Sequence, residues 1–197
     1  MSRSVWDKKR EVLRHYDRLA RIYDSLYRRE QDAKIKFILK LFRIRCRDLV
    51  LDAGCGTGLL INHLLGRVGH LVGVDLSTKT LKVFMERSRR LGIKRNVSLV
   101  RADVDNLPFR DDIFDKVVAL TLIQNVPEPF DTLQEIIRVS KNDSEVVVTG
   151  LKKHFDDESF HNLIGGIGKE HIFVNSPELH DHIAIVKVKN KYLRGEG

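Results

Sequence analysis

The stretch Leu49-Val50-Leu51-Asp52-Ala53-Gly54-Cys55-Gly56-Thr57-Gly58-Leu59-Leu60 decides the fold. An apolar run ends at an acid, passes through three alternating glycines and enters a second apolar stretch, residues 59–65, that reads as a helix. Alternating glycines let the backbone turn tightly and let a ligand approach main-chain amides at a helix N-terminus. Two further acids close later runs: Asp75 follows Leu71-Val72-Gly73-Val74, and Asp103 follows Val100-Arg101-Ala102. Three successive strand ends therefore each present a carboxylate, and one beside the loop can hold ribose hydroxyls by two hydrogen bonds.

Around this centre, short apolar runs alternate with amphipathic stretches. Strands are expected at residues 49–51, 70–74, 97–100, 116–122 and 146–149, with helices at 78–91 and 129–139. Such alternation means parallel βαβ units and an α/β fold, a single doubly wound, mostly parallel sheet covered on both faces. Ser77 can cap the helix that follows it, Gly92 suits its left-handed end, and Pro129 suits a first helical turn. Near the C-terminus a short helix at 156–164 precedes strands at 171–174 and 182–188. With no crossover helix between these strands, they are expected to pair antiparallel, giving an antiparallel C-terminal strand. Ahead of the sheet, Val12, Tyr16, Leu19, Ala20, Tyr23, Leu26 and Tyr27 line one helical face, and a second helical pattern runs from residue 33 to 42.

A chain of 197 residues with 42% hydrophobic and 31% charged residues supports one cored domain and excludes a disordered or fibrous protein. No apolar stretch approaches the roughly 18 residues that span a bilayer, and residues 1–10 contain no apolar signal core. The expectation is a cytoplasmic protein without membrane attachment. Cys46 and Cys55 form neither a disulfide framework nor a zinc pattern, and His180 and His182 lack clustered co-ligands, so no metal is expected.

The charge is uneven. Residues 1–47 carry 15 basic and 6 acidic side chains, a net of +9, leaving 20 basic against 21 acidic in the remainder. A basic N-terminal helical segment (1–47) thus precedes a sheet domain (48–190) and a tail (191–197) expected to be flexible. Concentrated positive charge favours polyanions, with nucleic acid the commonest such partner; a solvated helix face has the same composition.

The glycine spacing separates cofactor classes. Dinucleotide loops use G-x-G-x-x-G, whereas here the third glycine falls one residue early and Leu59 takes its place. No G-K-[ST] follows, so a nucleoside triphosphate has no lysine for its terminal phosphates. A phosphate-free nucleoside such as S-adenosylmethionine fits better.

The chain resembles the class I Rossmann-like S-adenosylmethionine-dependent methyltransferases, near the ubiquinone/menaquinone methylases and the tRNA wobble-uridine methylases. The likeness is carried by residues 50–58, Gly73-Val74-Asp75-Leu76-Ser77, Ala102-Asp103-Val104-Asp105-Asn106-Leu107-Pro108-Phe109, Phe114-Asp115-Lys116-Val117-Val118 and Glu135-Ile136-Ile137-Arg138-Val139. It implies that Gly54, Gly56 and Gly58 wrap the methionyl part, with Asp52 as an ammonium or water partner. Asp75 would bind the ribose, Leu76 and Val104 would sandwich the adenine, and Asp103 would accept from its amine. In similar proteins a tyrosine-aspartate pair before the first strand belongs to a helix that closes over the cofactor, which makes Tyr23 the candidate lid residue.

At the acceptor end, Gln124 and Asn125 stand where related enzymes often carry paired histidines; amides orient a substrate without titrating near neutral pH. A turn bonding its own backbone would use the same residues. The Asn/Asp-Pro-Pro-Tyr signature of amino-methylating relatives is absent. The leading expectation is an S-adenosylmethionine-dependent methyltransferase acting on tRNA or rRNA. The alternatives are a small-molecule or protein methyltransferase, with a possible small activating subunit on the strand near residues 97–101, and a non-catalytic cofactor-binding partner.

Overall fold

A computed structural model describes residues 4–168, 170–174 and 176–189; the expected tail, 191–197, lies outside them. The elements in chain order are α1 (Val5–Leu19), α2 (Tyr23–Leu41), β1 (Leu49–Ala53), β2 (His70–Asp75), α3 (Thr78–Arg90), β3 (Val97–Arg101), β4 (Phe114–Ala119), α4 (Pro129–Val139), β5 (Ser140–Leu151), α5 (Asp157–Gly165), β6 (Glu170–Val174) and β7 (Asp181–Lys187).

The strands form one seven-stranded sheet in the order β3-β2-β1-β4-β5-β7-β6. β1 runs parallel to β2 and β4, whereas β7 is antiparallel to both β5 and β6. Central strands buried on both faces need near-continuous apolar side chains, and Val50, Leu51, Val117, Val118, Val146, Val147 and Val148 are all inaccessible or nearly so. One face packs Leu133, Ile136 and Val139 of α4 with Phe160 and Ile164 of α5. The other packs Ile35, Ile38 and Phe42 from the N-terminal segment with Leu81 and Phe84 of α3.

Three sequence-based expectations change. The N-terminal pattern breaks at residues 20–22, where Ala20 is buried, and α2 runs unbroken through the gap expected between residues 27 and 33. The stretch after the glycines holds a single 3-10 turn, Leu60–His63, in place of a helix. There α2 covers the sheet, with Ile35, Ile38 and Phe42 sharing a core with Leu59, Leu60, Ile61 and Leu64. β5 starts at Ser140, earlier than residue 146, with a register shift against β4 between Phe114 and Lys116 and Asp143 at φ +62°.

Lys34 of α2 is completely buried and its ammonium lies 2.6 Å from the carboxylate of Asp181, equally buried at the start of β7. Removing one partner of such a pair strands the other charge in a low dielectric. Lys34→Ala is therefore expected to lower unfolding free energy by about 3–5 kcal/mol in urea titrations. The double change Lys34→Met with Asp181→Leu should cost clearly less than the single one.

Candidate active site

Strand order reverses between β1 and β4, so the crevice at the carboxyl ends of these strands is where an open α/β sheet binds ligands. The glycine loop fills its floor. Gly54 and Gly58 have φ of +74° and +76°, and a Cβ on either would collide with a neighbour, Leu122 Cδ1 at 2.8 Å or Phe84 Cδ2 at 2.3 Å. Gly56, at φ +52°, has open space within 4 Å of its missing Cβ. The backbone N–H groups of Gly54 and Cys55 both donate to Val74 O, at 2.8 and 2.9 Å, which ties the loop to the end of β2.

The carboxylate of Asp75 accepts from Gly56 N at 2.9 Å, Ser77 N at 2.8 Å and Thr80 Oγ1 at 3.1 Å. Burial nonetheless raises its pKa above the ordinary aspartate value, against the lowering effect of those donors. Asp52, also buried, is pushed up to about 7, first by desolvation and then by the charge of Asp75. Among the described residues neither acid has an ion-pair partner. Asp103 differs: the Lys9 ammonium lies 2.5 Å from its Oδ2 and 2.6 Å from Asp105 Oδ2, and Asp105 N donates to Asp103 Oδ1 at 3.1 Å.

The N-terminal helices form the roof, and each is pinned to a different wall. Ser77 Oγ donates to Asp17 of α1 at 2.5 Å, while Asp24 of α2 accepts from Thr57 Oγ1 at 2.7 Å and from Arg87. Arg87 in turn donates to Thr57 O at 2.9 Å, bracing the loop from behind. Tyr16 and Tyr23 both face the cavity, their ring centroids 6.1 Å apart, and burial raises both hydroxyl pKa values.

One cavity is lined by Asp52, Gly54, Gly56, Asp75, Leu76, Asp103, Val104, Tyr23 and Asn125 from the expected set. Gly58 and Gln124 are not among its lining residues. Gly58 sits against Phe84, which leaves no room for a side chain there. Both amide atoms of Gln124 are buried and without a hydrogen-bond partner, so the substrate-orienting position expected of this residue is corrected to one outside the cavity. Asn125 does reach it, donating to Tyr16 OH at 3.0 Å and to Thr121 O at 2.8 Å. His182, unconnected to the site, bonds Phe155 O at 2.9 Å and stacks on Phe160.

Lys9, Thr57, Arg87, Gln31, Lys34 and Thr121 escaped the sequence reading. Lys9 sits within Lys8-Lys9-Arg10, which reads as a solvated charge run; its one signal is helical phase with Val12 and Tyr16, three and seven residues on.

A family model described as a methyltransferase domain matches residues 51–148, from within β1 into β5. The chain belongs to the class I Rossmann-like S-adenosylmethionine-dependent methyltransferases. The chain is 35% identical over 121 residues to the ubiquinone/menaquinone biosynthesis C-methyltransferase UbiE of Pseudomonas fluorescens, covering 60% of this chain and 47% of that protein. It is 32% identical over 171 residues to a malonyl-[acyl-carrier protein] O-methyltransferase of Marinomonas sp., covering 86% and 62% respectively. It thus spans about half to three-fifths of these relatives' length. Its fold matches that of a putative S-adenosyl-L-methionine-dependent methyltransferase from Methanococcus maripaludis with a TM-score of 0.76, 16% identity and 97% coverage of both chains. The family's cofactor is S-adenosyl-L-methionine, and the site fits it: two buried carboxylates without a cation and a glycine facing open space suit an ammonium, a diol and a closely approaching chain.

The raised pKa of Asp52 has a consequence for the ligand-free protein. Its carboxyl is neutral both folded and unfolded well below pH 3.8, and the penalty for burying its charge grows as pH rises through 3.8 and is complete above about 7. Asp52→Asn is therefore expected to raise the melting temperature of ligand-free protein at pH 8 and to change it little at pH 4, as read by calorimetry.

Proposed function

We propose that the protein transfers a methyl group from S-adenosylmethionine to a small organic acceptor. When bound, the cofactor supplies an activated methyl on a positively charged sulfur, so the chain's task is alignment and exclusion of water. Asp52 would hold the ammonium, and Gly54 and Gly56 would admit the amino-acid chain. Asp75, already oriented by two backbone amides and Thr80, would take the ribose hydroxyls. Leu76 and Val104 would flank the adenine, and Asp103 would receive its amine while sharing its carboxylate with Lys9. Tyr23 would act from the roof. Asn125, fixed by Tyr16 and Thr121, would orient the acceptor.

The observation that carries the small-acceptor reading is the enclosure of the cavity by α1 and α2. Val12, Leu13 and Ile35 close it from above, while Leu120, Leu122 and Val126 wall it from the sheet side. Such an apolar, roofed chamber suits a compact partly apolar molecule. The relatives named above, described as a ubiquinone/menaquinone biosynthesis C-methyltransferase and a malonyl-[acyl-carrier protein] O-methyltransferase, support an organic acceptor over RNA.

RNA is the second reading, favoured by the exposed Arg10, Arg14, Arg18, Arg21, Arg28 and Arg29 on the roof. Two lysines of the basic segment do not contribute to that surface, because Lys9 and Lys34 are buried in ion pairs.

Isotope-labelled S-adenosylmethionine, incubated with the protein and separated metabolite, RNA and protein fractions, distinguishes the acceptors. Label is expected in the metabolite fraction, at a rate nearly independent of salt. Label confined to RNA, with a rate falling steeply as salt rises, would overturn the proposal.

A further inference from the structure

Two residues beyond β4, Thr121 adopts φ +54°, a left-handed conformation that is a true outlier for a β-branched side chain. Strain of this kind persists only where the surroundings over-determine it, and it gathers at functional sites. Here every polar atom of the residue is held. Thr121 N donates to Thr149 Oγ1 at 2.8 Å, and Thr121 O accepts from Asn125 Nδ2 at 2.8 Å. Its hydroxyl oxygen accepts from Lys34 Nζ at 2.9 Å and from Gln31 Nε2 at 3.2 Å.

A hydroxyl has two lone pairs and one proton. With both lone pairs taken by nitrogen donors, the Thr121 proton is available to donate, and among the described residues no hydrogen bond takes it. Thr121 and Gln31 both line the cavity, next to Leu120, Leu122 and Ile35. A hydroxyl that accepts from an ammonium is polarised into a stronger donor, and apolar walls strengthen the bond it then makes. The buried Asp181 holds the Lys34 ammonium in place behind it, so Lys34 acts as a positioning residue.

We propose that Thr121 is an acceptor-binding residue whose hydroxyl donates to an anionic oxygen, carboxylate or phenolate, of the methyl acceptor. The inference rests on the function proposed above and narrows its substrate class to oxyanion-bearing molecules.

Protein saturated with S-adenosylhomocysteine is titrated with benzoate and 4-nitrophenolate as oxyanion probes and with 4-nitrotoluene as a neutral control. The unsubstituted protein is expected to bind at least one oxyanion probe, and Thr121→Val to weaken that probe about tenfold or more. Thr121→Ser should restore most of the affinity. The affinities for 4-nitrotoluene and S-adenosylhomocysteine should stay within about twofold in both variants, as fits a single lost hydrogen bond. If 4-nitrophenolate binds, its absorption band should move to shorter wavelength in the threonine and serine forms and not in the valine form. Preference for benzoate would indicate a carboxyl acceptor and preference for 4-nitrophenolate a phenolic or enolic one, both within the proposal. Intact S-adenosylhomocysteine binding with no oxyanion binding, with equal binding by Thr121→Val, or with an equal loss for 4-nitrotoluene overturns the role of Thr121 and leaves the cofactor reading standing. Failure to bind S-adenosylhomocysteine at all contradicts both.

Discussion

The buried carboxylates of Asp52 and Asp75 are the constraint on which the site turns. Charges removed from water without a cation are costly, and a protein retains them where a ligand supplies the missing partner. Parallel pairing of β1 with β2, which sets Asp52 opposite Gly73 and Ala53 opposite Val74, brings the two acids to adjacent strand ends. The glycine loop can then cross directly above, because Gly54 and Cys55 donate to the carbonyl of Val74 and Gly56 donates to Asp75. The acids differ in support. Asp75 has three donors, whereas Asp52 has burial and then repulsion from its neighbour acting against its charge, which pushes its pKa up to about 7.

The roof is built from charge as much as from packing. Lys9, Asp17 and Asp24 each cross from the N-terminal helices to a different part of the floor: the acids after β3, the cap of α3, and the glycine loop with Arg87. Such contacts connect the position of α1 and α2 to the same groups that face the ligand. Lys9 thus ties the position of α1 to Asp103 and Asp105 through one ammonium.

Much of this was legible from the chain alone. Short continuous apolar runs, acids at their ends, glycines at alternate positions, the cap Ser77 and the first-turn Pro129 are local signals, and they placed the sheet, α3, α4 and most of the cavity floor. What escaped depends on contacts distant in sequence. Nothing near Lys34 announces that its ammonium is buried against Asp181, 147 positions later, and a lysine in an otherwise charged helix reads as solvated. Thr121 likewise carries no local mark, since its positive φ is held by Lys34 and Gln31 of α2, by Asn125 and by Thr149 of β5, three separate segments. Gln124 and Asn125 show the limit of adjacency: one residue of twist sends the first amide away from the cavity and the second into it.

Hydrogen–deuterium exchange with and without S-adenosylhomocysteine tests the central claim most directly, because floor and roof report separately. Slower exchange is expected at residues 53–58, at the amide of Ser77, and along α1 and α2, with NAD producing none of it. Protection by NAD in place of S-adenosylhomocysteine, or no protection of the glycine loop by either, would contradict the pocket as described.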